Sequence, residues 1–104
     1  MHYQIKKDME NKVIVVISEC NDLETKSSVI GVFANENAFE EGMKCILTEY
    51  IDSHMYSEED IMTLANKSID EYINNIINEL EYYGEAIDPL DELQVWYYSE
   101  KEIQ

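Results

Sequence analysis

Val13-Ile14-Val15-Val16-Ile17 is the longest aliphatic run in the chain, and it limits the fold more than any other segment. β-Branched side chains are stiff at χ1 and suit a pleated surface, so Lys12–Cys20 is predicted to be a strand. Successive side chains of a strand point to opposite faces. Val13, Val15 and Ile17 therefore share one face, and Ile14 and Val16 the other. Ser27–Ala34 repeats the pattern after the polar connection Asn21–Lys26, with Val29 and Phe33 set against Ile30 and Val32. So short a connection makes the pair an antiparallel hairpin. A sheet covered on one side needs only one apolar face. Two apolar faces predict either a second helical layer or a homodimer. Gly31, inside the second strand, predicts a bulge or a close backbone approach.

The second period in the chain is helical. Phe39, Met43, Ile46, Leu47 and Tyr50 recur at the spacing of one helix face, and Asn35 is placed to cap Glu36 to about Ser53. Cys45 then falls on the opposite face with Glu41, Thr48 and Glu49. Ser57 and Asp60 form a capping-box pattern. From Ile61, the residues Ala65, Ile69, Tyr72, Ile73, Ile76, Leu80 and Tyr83 stay in one phase. That stripe predicts one helix over about 58–82, or two nearly collinear ones divided near Lys67 by a second capping pattern, Ser68 with Glu71. Gly84 suits the C-cap. Glu85–Glu92, with four acidic residues in addition to Pro89 and no helical run, is expected to be a loop, and Leu93–Ser99 a third strand.

The expected order is β-β-α-α-β. This is an α+β domain with a small, mostly antiparallel three-stranded sheet and helices packed on it, filling residues 1–104 as a single domain. The aliphatic runs are too short to span a bilayer, which takes about 20 residues. The first eleven residues, a polar leader, lack the apolar core of a signal peptide, so a cytoplasmic location is expected. Cys20 and Cys45 are then expected to be reduced.

Charge narrows the choice of partner. The chain has 23 acidic residues against seven basic ones, a net charge of −16, and all seven basic residues are lysine. Without the planar fork of arginine, and with this charge, direct binding of nucleic acid or of an anionic membrane is not expected. Residues 1–48 hold eight acids and five lysines, whereas residues 49–104 hold fifteen acids and two lysines. A partner attracted by charge should therefore be basic and should meet the second half.

The residues that carry chemistry elsewhere form no recognisable set. His54 lies near Asp52, Glu58, Glu59 and Asp60, but the spacing fits neither an EF-hand nor a zinc helix. Cys20 and Cys45 have only His54 as a possible base, besides His2 near the terminus. The three glycines are isolated, so no phosphate loop is present. No enzyme activity, metal or cofactor is expected. The aromatics are more telling: eight tyrosines and one tryptophan, with Tyr82-Tyr83 and Trp96-Tyr97-Tyr98 flanking the acidic loop. Tyrosine and tryptophan are enriched at binding hot spots.

VIVVISEC at 13–20 followed by VIGVFANENAFEEG at 29–42 resembles the ββα openings of small phage and Firmicutes proteins. In size and in its acidic, tyrosine-rich character, the chain also resembles phage-encoded anti-CRISPR proteins that mimic DNA. The resemblance implies an inhibitor of a host nuclease complex such as a Cas effector, and it carries over no functional residue. Charge alone leads to the same kind of partner, since carboxylates along a helix can approximate part of the phosphate density of a duplex. The candidate surface is Asp60, Asp70, Glu71 and Glu81 on the helix with Glu85, Asp88, Asp91 and Glu92 in the loop. Tyr82 and either Trp96 or Tyr98 are the candidate apolar anchors. Two alternatives stay open: an immunity protein for a nuclease toxin, and a homo-oligomeric domain whose charge serves only solubility.

Overall fold

The computed structural model describes residues 11–103. The elements are β1 (Lys12–Asn21), β2 (Thr25–Phe33), α1 (Glu36–Ser53), α2 (Glu58–Ala65), α3 (Ile69–Tyr83), β3 (Glu85–Asp88) and β4 (Asp91–Glu102). The strands form one four-stranded antiparallel sheet in the order β2-β1-β4-β3. The α+β class is as expected, with four strands rather than three and three helices rather than two. Most of the expected leader, and His2 with it, falls outside the described residues.

The extra strand is the segment expected to be a loop. Glu85–Asp88 pairs with β4 through Ala86 opposite Trp96 and Ile87 opposite Val95. Asp88 and Pro89 turn the chain, the Asp88 carboxylate accepting the Leu90 N–H at 2.9 Å, a common device of Asx-type turns. Alternation was hidden because one of the two inward residues of β3 is an acid: Ala86 and Asp88 are buried while Glu85 and Ile87 are exposed. At the other end, β4 continues to Glu102, beyond the expected Leu93–Ser99.

The helical stripe is divided. Asn66 takes the left-handed conformation with φ 57° and closes α2, and Ser68 starts α3. Both N-termini carry complete capping boxes, Ser57 with Asp60 and Ser68 with Glu71, satisfying amides that a helix start leaves free. Asn35 caps α1 through the Ala38 N–H. Gly84 ends α3 at φ 81°, the left-handed region where glycine carries no Cβ penalty.

The helices cover one face of the sheet. Ile14 and Val16 of β1 and Trp96 of β4 are buried in a single cluster with Phe39, Met43 and Leu47 of α1 and Ile73, Ile76 and Leu80 of α3. The bulge foreseen at Gly31 is present. Val16 pairs with Gly31 but Ile17 pairs with Val29, leaving Ile30 as the extra residue. This shift corrects the expected facing of β2. Ile30 and Phe33 both pack toward the helices, while Val29 and Val32 point away and are exposed. A β-carbon at Gly31 or Gly42 would overlap the Phe33 ring, so both glycines are there for close approach. The expected second helical layer does not exist among the described residues. Val15, Ile17 and Val32 lie on a face that no described element covers.

Candidate interaction surface

Asp88 is the most unusual residue of the fold. It is fully buried, no described lysine pairs with it, and its carboxylate is surrounded by hydroxyl donors. Tyr50 of α1 donates to Oδ2 at 2.5 Å, Tyr56 of the α1–α2 turn donates to Oδ2 at 3.4 Å, and Tyr72 of α3 donates to Oδ1 at 2.8 Å. With the Leu90 N–H, four donors converge on one carboxylate and replace its hydration. Burial first, and then the hydrogen bond to Asp88, raise the Tyr50 and Tyr72 phenols far above their ordinary range. Burial and the Asp88 charge raise Tyr56 too. All three hydroxyls thus remain protonated donors at any physiological pH. The cluster ties the β3–β4 hairpin to two helices and the turn between α1 and α2.

Trp96 belongs to the same region. It is 1% exposed and meets the Tyr50 ring edge-on, with centroids 5.1 Å apart. Asp88 and Trp96 are therefore removed from the candidate surface, because a docking partner cannot touch either. The sequence pointed to Asp88 through its acidic neighbours and to Trp96 through its type, and neither signal reports burial. Tyr98 is half-buried and packs edge-on against Phe39 at 5.0 Å. Burial, followed by the charges of Glu100, Glu36 and Glu81, pushes its phenol up to about 12.

The other candidates lie on the surface but not in one place. Asp70 lines a cleft of about 600 Å³ between α2 and α3 with Glu58, Glu59, Met62, Ser68 and Ile69. Glu58 and Glu59 were missed as site residues, although they stand in the acidic first turn of a helix. Asp60 and Glu71 are exposed, but each carboxylate accepts a backbone N–H at 3.0 Å in its capping box. That backbone bond is the main cause of the lowered Glu71 carboxyl. Glu85 and Glu92 line a second, shallow groove of about 610 Å³ with Glu79, Tyr83 and Ile87. Tyr82 is exposed beside it, as is Tyr83, their rings meeting edge-on at 4.8 Å. Asp91 is half-buried and holds the turn by accepting the Leu93 N–H.

Glu81 stands apart, against Glu40 and Glu36 of α1. Partial burial, then the hydrogen bond and charge of Glu40, then the charge of Glu36, push its carboxyl up to about 7 from 4.5. Above about pH 7 Glu81 is charged folded and unfolded, and repulsion in the folded state is fully felt. As pH falls toward 4.5 the folded state holds the extra proton, so stability rises. Glu81→Gln is expected to stabilise the protein at pH 8 by up to about 1 kcal/mol, solvent screening limiting the gain. It should have no effect near pH 4. Paired thermal melts at the two pH values measure this, and an equal effect at both would contradict it.

Cys45 is exposed, as are its neighbours Glu41, Thr48 and Glu49. It lies nine residues before His54 near the same helix axis, about 13 Å at 1.5 Å per residue. His54 Nδ1 instead contacts the Tyr50 carbonyl at 3.0 Å. Among the described residues no three metal-ligating side chains converge, and no helix is long and apolar enough to cross a membrane.

The chain is thus an α+β domain with an acidic helical layer over one face of a four-stranded antiparallel sheet. No family model matches it, and neither does any curated protein or solved structure.

Proposed function

We propose that the chain is a non-enzymatic inhibitor whose acidic helical layer occupies the basic nucleic-acid-binding groove of a nuclease or Cas effector. One observation carries this reading. Residues 36–83, the whole helical layer, hold twelve acidic residues against two lysines, on a chain without arginine. A protein groove that binds a duplex presents lysine and arginine spaced for phosphates, and this layer offers carboxylates in their place. The helix-side rim of the shallow groove, Glu79 and Glu92, adds exposed Tyr82 and Tyr83 at its side. Charge there steers the encounter, and the aromatic pair supplies area that can be desolvated.

Labour divides between these groups. Exposed charge pairs contribute about 0–1 kcal/mol each but raise association rates. A buried aromatic anchor is worth about 2 kcal/mol or more. Capture from a bacterial lysate should therefore enrich basic nucleic-acid-binding proteins, and duplex DNA or RNA should compete. Reversing Asp70 and Glu92 to lysine should slow association about tenfold at low salt, an electrostatic effect that added salt removes. Tyr82→Ala should mainly speed dissociation. A captured partner whose binding ignores both salt and these reversals would refute the reading.

A further inference from the structure

We propose that the open face of the sheet is a homodimer interface, with two copies stacked sheet on sheet and their acidic helical layers pointing apart. The face is apolar and lies in the open. Val32 is 60% exposed, Val29 59%, Ile87 51% and Leu93 45%, and together with Ile17 and Tyr97 they cross all four strands. Isolated exposed apolar residues are ordinary on a protein surface, but a continuous field of them marks an interface.

Charge selects a second copy as the occupant. The paired positions of this face carry three charged residues, Glu19, Glu85 and Lys101, whereas the helical layer holds twelve acids and two lysines. Glu19 is also drawn onto the face by the Tyr97 hydroxyl, which donates to it at 3.3 Å. Two bodies of charge −16 repel wherever their acidic surfaces meet. They can touch only where charge is sparse, and this face is that place. Sheets stack about 10 Å apart, so stacking holds the two helical layers roughly 30 Å from one another, several screening lengths at physiological salt. A basic partner gains little from this sparsely charged face and is drawn to the helices.

Size sets the strength. Three strands contributing about six residues each, and β3 with its four, spaced about 4.8 Å apart, give a footprint of roughly 350 Å². A standard interface takes about 800 Å² per partner, so the dimer belongs to the weak, transient class.

Sedimentation equilibrium on the full chain from roughly 1 to 300 µM tests this. The expected result is a reversible monomer–dimer equilibrium that tightens as salt is raised, because screening weakens the residual repulsion. Val32→Glu, which a two-fold interface counts twice, should weaken the dimer at least tenfold. Ile87→Glu, on the opposite edge strand, should do the same and serves as the second probe if the first variant fails to fold. Asp70→Lys, on the helical layer, should leave the dimer intact. A monomer throughout this range, or a dimer broken by Asp70→Lys but not by the two sheet-face variants, would overturn the proposal.

Discussion

Trp96→Ala is expected to cost about 3–5 kcal/mol of folding stability, the usual loss for emptying a buried aromatic site. Small domains have a total of about 5–15 kcal/mol, so the variant should be largely unfolded on modest heating. The indole sits at the sheet centre, opposite Ser18 on one side and Ala86 on the other, under the Tyr50 ring. Ala86 is too small to move into the space, and Tyr50 is held by its hydrogen bond to Asp88. Collapse around the cavity is therefore limited, which places the cost high in the range. Trp96→Phe should lose much less. Urea titration followed by circular dichroism measures both. A Trp96→Ala variant that melted like the native protein but lost a partner would instead make Trp96 a contact residue.

Asp88→Ala should be comparably damaging, at about 3–4 kcal/mol, for a different reason. Removing the carboxylate leaves Tyr50, Tyr56 and Tyr72 hydroxyls and the Leu90 N–H without their acceptor. A buried donor without a partner costs about 1–3 kcal/mol. Tyr56 is less buried and finds water, so its share is small. Asp88→Asn keeps an acceptor oxygen and should lose roughly half as much. The double variant Asp88→Ala with Tyr72→Phe separates this account from simple loss of packing. Without the Tyr72 hydroxyl one orphaned donor disappears, so the pair should cost about 1 kcal/mol less than the sum of the single changes. Strict additivity would mean that the Tyr72–Asp88 bond contributes nothing.

Both residues depend on contacts that local sequence does not encode. Periodicity placed Ile14 and Val16 opposite Val15 and Ile17, and the structure keeps that division because parity along a strand is a local property. Capping at Asn35, Ser57, Ser68 and Gly84 was equally legible, since a cap bonds within its own turn. The sequence points to surface charge at Asp88 because acids are rarely buried without a cation, and its three tyrosine partners lie 16 to 38 positions away.

The candidate surface divides in the same way. Its sign, its lack of arginine and its weight in the second half are properties of composition, and no arrangement of the chain could change them. Its layout is not: Asp70 meets Glu58 and Glu59 because α2 turns back on α3 at Asn66, and Glu81 meets Glu40 because α1 and α3 share one face of the sheet. Two apolar faces on β1 could likewise be read from five residues. Which of them the helices cover depends on the side of the sheet to which the chain crosses after Phe33, and a one-residue bulge at Ile30 then moves that side chain to the covered face. Pattern is written residue by residue, whereas the choice between faces and the company of each acid come from contacts between segments far apart in the chain.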